Sequence, residues 1–257
     1  MDLVSTLSGF VVGLIVGATG VGGGALMTPL LVLVMGVSPA TAVGTDLLYA
    51  SLTKAGGAWA HAQAGNVDWR AGALLAAGSV PAAATTLVAL RVLPIGPEDY
   101  DQIVTATLSG ALILTAAALL LKDRLRAIAL RRPRVRSGAR CRATTIAVGA
   151  VLGVLVTVSS VGAGALGVAA LLFLYPGLVA ARVVGTDIAH AVPLTLVAGL
   201  GHAAMGAVDW GLLGSLVLGS LPGVYLGAAV SRRLPERVLR TLLAAMLVFV
   251  GGKLIAA

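Results

Sequence analysis

The sequence has 257 residues, of which 58% are hydrophobic and 11% are charged, and its mean hydropathy is +1.02. Soluble domains carry about 25% charged residues, so this composition excludes an ordinary soluble domain and predicts a protein of the lipid bilayer. The formal net charge of +8 would suit a nucleic-acid-binding protein, but nine of the 18 Lys and Arg residues lie between residues 122 and 142. A positive-inside topology signal explains that cluster, and no nucleic-acid partner is predicted.

Ten apolar stretches follow one another along the chain. Six of them are about 20 residues long, which is enough to cross a bilayer core of about 30 Å as a helix. The other four are shorter and form two pairs, each joined through a glycine-rich break. The short pairs are 3–16 with 24–35 and 143–157 with 165–175, and the full spans are 42–62, 69–90, 101–121, 183–204, 210–230 and 238–256.

The first break, GATGVGGGALMTP at 17–29, has five glycines in its first eight positions. Irregular backbone at membrane depth survives only when it is buried in protein or lines a cavity. A short helix that starts near Gly24 presents free N–H groups and the positive end of its dipole, where anions bind. In the second break, TVSSVGAG at 157–164, Ser159 and Ser160 add hydroxyl groups. The breaks therefore predict an anion site, with close packing of small residues as the structural alternative.

The chain contains an internal duplication. The tetrapeptide VGTD occurs at 43–46 and again at 184–187, and VDW occurs at 67–69 and again at 208–210. Both pairs lie 141 residues apart, and the glycine-rich breaks repeat at an offset of 140. Matches in one register indicate a duplicated unit of one short helix pair and three full spans. The predicted division is a first transmembrane repeat at 1–121, a basic cytoplasmic linker at 122–142 and a second transmembrane repeat at 143–257.

Loop charges predict that the two repeats are inverted relative to each other. The loop at 231–240 in the second repeat is basic, whereas the equivalent loop at 91–101 carries three acids and one arginine. Because cytoplasmic loops carry the excess of Lys and Arg, the same structural position faces opposite sides of the membrane. The loop at 63–70 then falls on the cytoplasmic side and the loop at 205–210 on the external side. Many secondary transporters have this inverted relation.

Ionisable residues inside a membrane span are rare and are candidates for function. Here they concentrate on the third predicted helix of each repeat, with Asp46 and Lys54 in the first copy and Asp187 and His190 in the second. Lys54 supplies the positive charge that an anionic substrate requires. Loss of water favours the neutral form of a buried carboxyl. Asp46, Asp187 and His190 are therefore candidate groups for proton coupling.

Each of these assignments has an alternative. Lys54, whose equivalent in the second repeat is Thr195, can instead form a structural ion pair with Asp46 or Asp187. The two aspartates would also serve as ligands in a protein that moves cations or protons.

The sequence predicts neither catalysis nor a cofactor. An intramembrane enzyme would have only Ser159 or Ser160 as nucleophile and His190 or His202 as base, in no recognised spacing. The glycines of the first break imitate a dinucleotide-binding fingerprint, but that motif follows a β-strand of a soluble unit. The single cysteine, Cys141, offers no metal cluster.

Three stretches, GFVVGLIVGATGVGGGALMTPLL, GVSPATAVGTDLL and HAQAGNVDW, have weaker copies in the second half of the chain. Together they resemble the TauE/SafE sulfite exporter family of bacterial membrane proteins, over nearly the whole chain except the linker. The resemblance implies transport of small sulfur-containing anions such as sulfite, thiosulfate or organosulfonates across the inner membrane, often outward. By position, it implies that the substrate is contacted by Gly22, Gly23, Gly24, Thr45, Gly162, Gly164 and Thr186.

The sequence thus predicts an all-α polytopic protein of the cell inner membrane. Two inverted-topology repeats each contain a glycine-broken pair of short helices and three full transmembrane helices. The expected function is secondary transport, in the export direction, of a small sulfur-containing anion. The anion is expected to bind near the midplane to the residues above together with Lys54, Ser159 and Ser160. The expected partners are the anion and membrane lipid, and the sequence is compatible with a monomer and with a homo-oligomer. The alternative is a cation- or proton-translocating membrane protein that uses Asp46 and Asp187.

Overall fold

The computed structural model describes residues 3–19, 24–94, 96–131, 138–231 and 236–256. Within these ranges the protein forms ten α-helices and no β-strand. The helices of the first half are α1 (Leu3–Thr19), α2 (Gly24–Leu33), α3 (Pro39–Gln63), α4 (Trp69–Val92) and α5 (Pro97–Arg131). Those of the second half are α6 (Ala139–Ser159), α7 (Ala165–Leu174), α8 (Ala180–Ala204), α9 (Trp210–Ser231) and α10 (Glu236–Ala256).

Five helices in the described ranges are long and apolar enough to cross a membrane. They are Trp69–Val92, Glu98–Arg124, Ala139–Ser159, Ala180–Ala204 and Trp210–Gly227. Of the six full spans predicted from the sequence, α3 and α10 are not among these five. Helix α3 has 25 residues but carries Asp46 and Lys54, and within the residues that the structure describes α10 contributes the apolar segment Leu243–Leu254.

The prediction of a short helix at 143–157 is wrong. Helix α6 has 21 residues and is one of the five candidate spans. It begins at Ala139, so its first turns include Arg140 and Arg142, which the hydropathy pattern assigned to the linker. Helix α5 likewise continues to Arg131, so the basic segment is helical at both of its ends.

The second break has an irregular backbone where the sequence places it. Helix α6 ends at Ser159 and α7 begins at Ala165. Between them, Ser160 has a φ of 58°, Gly162 of 122° and Gly164 of 148°, which are values that side-chain-bearing residues rarely adopt. In the first repeat α1 ends at Thr19 and α2 begins at Gly24. Residues 20–23, and with them the predicted site residues Gly22 and Gly23, lie outside the described residues.

Equivalent helices of the two repeats make equivalent contacts with the roles exchanged. Helix α1 packs on α9 and its counterpart α6 packs on α4, while α3 packs on α8 and α5 on α10. Glycines allow the closest approaches: a Cβ at Gly78 would collide with the backbone of Ile146, and a Cβ at the equivalent Gly219 would collide with the backbone of Thr6. The duplication in the sequence is therefore also a duplication of helix contacts.

The two counterpart helices α3 and α8 run antiparallel. Leu48 of α3 lies against Gly199 of α8, whereas Gly57, further along α3, lies near Ile188, which is earlier in α8. Residues that come later in α3 thus contact residues that come earlier in α8.

Buried and exposed apolar residues divide as expected for a protein surrounded by lipid. The outer surface carries large apolar side chains, including Val88, Tyr225 and Phe249, which are 61%, 80% and 72% exposed. The largest buried cluster joins α2, α3, α5, α9 and α10 through residues such as Met27, Leu31, Tyr49, Leu108, Leu216 and Leu247. A surface of this kind needs hydrocarbon rather than water around it.

Candidate functional site

The carboxyl group of Asp46 lies at the junction of the two repeats. It is fully buried on α3, and its Oδ2 accepts hydrogen bonds from the hydroxyls of Thr28 on α2 and Ser160 in the second break, the latter at 2.9 Å. Its other oxygen, Oδ1, is buried without a hydrogen-bond partner among the described residues. One carboxyl group therefore ties α2 and α3 of the first repeat to the break of the second.

Lys54 reaches the same break from a position further along α3. Its side chain is 8% exposed, and its Nζ donates a hydrogen bond to the carbonyl oxygen of Ala163, between Gly162 and Gly164. Its ammonium interacts electrostatically with both carboxyl groups, more strongly with Asp187 than with Asp46. The intramembrane charges of both repeats thus converge on the second break, and a backbone carbonyl is the hydrogen-bond partner of the cation.

Asp187 and His190 occupy one side of α8, near Lys54. Asp187 is 1% exposed, and its Oδ1 has no hydrogen-bond partner in the described part of the chain. This carboxyl packs directly on Gly167 of α7, where an added Cβ would collide with Oδ1. His190 is hydrogen-bonded through Nε2 to Ser79 Oγ of α4 at 2.8 Å, and its Nδ1 is buried without a partner among the described residues.

The two copies of the site share a frame but differ in their functional groups. Tyr49, the counterpart of His190, interacts with Ser220, the counterpart of Ser79. By contrast, the counterparts of Lys54 and Thr28 are Thr195 and Val168. The Lys54 cation and the Thr28 hydroxyl are therefore present in the first copy of the site, and their equivalents are absent from the sequence of the second copy.

Thr45 and Thr186 do not join this cluster. The hydroxyl of Thr45 accepts a hydrogen bond from the backbone N–H of Asp209 at 3.1 Å, and that of Thr186 accepts one from the N–H of Asp68 at 2.8 Å. The two aspartates in turn accept bonds from the first turns of α9 and α4, as N-cap residues do. We call these two equivalent contacts the inter-repeat clamps, because each joins a third helix of one repeat to the loop of the other.

Four further residues were predicted to contact the substrate, namely Ser159, Gly24, Gly162 and Gly164, and they lie in or beside the two breaks. Ser159 bonds locally, since its Oγ donates to Leu155 O at 2.7 Å and accepts from Val161 N at 3.2 Å. Gly24 is the first residue of α2. Gly162 and Gly164 flank the carbonyl that Lys54 binds.

Three participants of the cluster were not predicted from the sequence, namely Thr28, Ser79 and the carbonyl of Ala163. Ser79 is part of the Gly-Ser pair that recurs at 219–220, so the duplication itself was a signal for it. Thr28 and Ala163 carry no such signal, because their partners lie 18 and 109 residues away in the sequence.

Comparisons with known proteins agree with this description. The Sulfite exporter TauE/SafE family matches residues 5–254. The chain is 38% identical over 256 residues to the "Probable membrane transporter protein YjnA" of Bacillus subtilis strain 168, covering 99% of this chain and 100% of that protein. It is 28% identical to "Probable membrane transporter protein YdhB" of the same organism, covering 90% and 91% of the two chains. No solved structure matches.

The matching family and the names of these relatives place the chain in the class of membrane transporters rather than enzymes. Within that class, the chain belongs to the TauE/SafE sulfite exporter family.

The hydroxyl contacts of Asp46 are testable by unfolding measurements. Replacing Thr28 by Val should lower the free energy of unfolding by about 1.5–3 kcal/mol, because a buried charged group loses a hydrogen-bond donor. In the Asp46→Asn background the same replacement should cost about half as much, since a bond to a neutral acceptor is weaker. Unfolding midpoints in mixed detergent micelles measure both effects.

Thr195→Val is the matched control for this cycle, because among the described residues the Thr195 hydroxyl bonds only to carbonyls of its own helix. Its effect should be the same in both backgrounds. Equal losses for Thr28→Val with and without the Asp46 carboxylate would mean that the Thr28 contact does not stabilise that charge.

Proposed function

We propose that this protein is a secondary transporter that exports small sulfur-containing anions, such as sulfite, thiosulfate or organosulfonates, across the cell inner membrane. The anion binds near the midplane, between the two repeats, at the second break. The observation that carries this proposal is the buried Lys54 ammonium, held at the Ala163 carbonyl beside Gly162 and Gly164. A charge at this depth is costly in lipid, and an anionic ligand is the partner that would offset that cost.

The charge balance of the cluster connects anion binding to protons. One ammonium faces two carboxyl groups, so the cluster is net negative when Asp46 and Asp187 are both ionised and net positive when both are protonated. A net negative cluster repels an anion, and a net positive one attracts it. Protonation of Asp46 and Asp187, assisted by His190, therefore favours the anion-bound state.

The proposed transport cycle uses two inverted repeats. Two observations support this arrangement: helix contacts of one repeat recur in the other with the roles exchanged, and α3 and α8 are antiparallel. A two-fold axis perpendicular to α3 and α8 would produce both. If α3 and α8 cross the bilayer, that axis lies in the membrane plane. Rocking of one such repeat against the other alternately exposes a site between them to the two sides.

The inverted arrangement is tested with two equivalent positions, Gln63 at the end of α3 and Ala204 at the end of α8, which are both exposed. In a Cys141→Ala background, Ala204→Cys should react with a membrane-impermeant maleimide on intact cells, and Gln63→Cys should react only after permeabilisation. Labelling of both positions from the same side would contradict inversion.

Anion transport and the role of Lys54 are tested in proteoliposomes loaded with sulfite, thiosulfate, sulfoacetate or sulfate. The unmodified protein should move at least one of the sulfur anions. Lys54→Met should weaken anion binding about 10- to 100-fold, as expected when a charge-assisted contact is lost, and Lys54→Arg should retain most of it.

Lys253→Met is the control for this experiment, because it removes an exposed cation from α10, and it should leave anion affinity unchanged. Movement of none of the four anions would contradict the substrate class. Unaltered affinity in a folded Lys54→Met protein would exclude Lys54 from the site.

Proton linkage is tested by the pH dependence of sulfoacetate binding, because its sulfonate stays ionised over the range of the measurement. Affinity should rise as the pH falls, since protonation removes negative charge from the cluster. Asp187→Asn imitates the protonated acid and should bind more tightly at alkaline pH with a flatter profile. Asp99→Asn, which neutralises an exposed acid in the first turn of α5, should leave the profile unchanged. A profile for Asp187→Asn that equals that of the unmodified protein would remove Asp187 from the coupling.

Cation or proton translocation is a second candidate function. It is favoured by the buried oxygens of Asp46 and Asp187 that lack hydrogen-bond partners among the described residues, and by the carbonyl in the break that already accepts a bond from a cation. The same vesicles discriminate between the two functions, because a cation pathway would move protons or sodium when no anion is present.

A further inference from the structure

An open groove lies on the outer surface of the protein between α5, α6 and α7. Its volume is about 530 Å³, and its walls are almost entirely apolar. Leu114 and Val151, which line it, are 54% and 68% exposed. Further lining residues include Ala118, Leu121, Thr144 and Ala147. In a bilayer this groove faces hydrocarbon, so an apolar chain is the kind of group that fills it.

One end of the groove is strongly basic. The lining residues nearest the linker are Leu121 on α5 and Thr144 on α6. Arg124 lies about 4.5 Å beyond Leu121, and Arg140 lies about 6 Å before Thr144, at a rise of about 1.5 Å per residue. The exposed charged side chains at this end are four arginines and one acid, namely Arg124, Arg126, Arg140, Arg142 and Asp123.

We propose that this groove is a binding site for an anionic phospholipid. One acyl chain lies in the apolar groove, and the phosphate of the headgroup binds the arginines at its basic end. Arginine pairs with phosphate through two parallel hydrogen bonds, and basic pockets beside membrane helices bind anionic headgroups. A free phosphate would leave the apolar groove empty, so a lipid fits both parts of the site.

A second copy of the chain fits this surface less well. A two-fold symmetric dimer, the commonest form of homo-oligomer among soluble proteins, uses the same patch on both subunits. Such a dimer would bring two arginine clusters together, and like charges across an interface are unfavourable. The charge of the groove end therefore favours a lipid over a second copy.

The bound lipid would also contact the neighbourhood of the second break. Leu155 and Leu166 line the groove, and both lie 3.4 Å from a Cβ built at Gly162, as does Val156. The acyl chain thus packs on the residues that enclose the break. This lipid site does not depend on which solute the protein transports.

Native mass spectrometry of the detergent-solubilised protein tests the proposal. The protein is titrated with phosphatidylglycerol or with phosphatidylcholine of the same acyl chains, and it should bind phosphatidylglycerol preferentially. The double variant Arg140→Gln/Arg142→Gln should bind phosphatidylglycerol about 10- to 30-fold more weakly, at about 1 kcal/mol per basic residue, and phosphatidylcholine unchanged. Arg140→Lys/Arg142→Lys should retain most of the preference.

The matched control is Arg91→Gln/Arg182→Gln, which removes two exposed arginines away from the groove and should leave the preference intact. The groove itself is tested by Ala147→Trp, which fills it from an exposed position and should reduce binding of both lipids. Ala84→Trp, at an exposed position on α4, should not.

Three results would overturn the proposal. The first is equal binding of the two lipids by the unmodified protein. The second is an unchanged preference in Arg140→Gln/Arg142→Gln. The third is a protein dimer that Ala147→Trp disrupts while lipid binding is unaffected, because the groove would then be occupied by a second copy.

Discussion

The surroundings of Lys54 are the constraint on which the site depends. Lipid offers no water to solvate an ammonium group, so a buried lysine needs partners from the protein itself. Within a regular helix each carbonyl already accepts one backbone bond, whereas a carbonyl in a break between two helices is left without that bond. The interruption after Ser159 frees the carbonyl of Ala163, and Lys54 uses it. The break in one repeat and the cation in the other therefore explain each other.

Divergence between the two repeats created this arrangement. Several backbone contacts recur in both copies, namely the exchanged glycine contacts and the two inter-repeat clamps. The side chains at the centre are not, since Asp46 has two hydroxyl donors while Asp187 lies against the bare backbone of Gly167. A symmetric frame thus encloses an asymmetric set of charges, and the two carboxyls have different surroundings despite their equivalent positions.

The sequence predicted the frame well and the contacts at its centre poorly. Hydropathy and the offset of 141 residues give the helices, the duplication and the position of the second break, because these follow from local composition and self-similarity. The length of α6 was underestimated because its arginine-bearing first turns remain helical beyond the apolar stretch. The partner of Asp46 in the break is 114 residues away, and no local pattern encodes a contact at that separation. Thr45 illustrates the same limit, because its hydroxyl accepts a hydrogen bond from the amide of Asp209, which is 164 residues away.

The distribution of unsatisfied polar atoms separates the fixed parts of the protein from the parts that can engage a ligand. Buried polar groups in proteins are almost always hydrogen-bonded, and the loops and helix starts here obey this rule through the inter-repeat clamps. Of the seven buried side-chain atoms without a partner in the described residues, five belong to α3 and α8. A purely structural role for these helices would leave that cost without compensation, since apolar residues at the same positions would avoid it. The two helices that meet at the centre of the fold therefore carry most of the buried polar atoms that have no hydrogen-bond partner among the described residues.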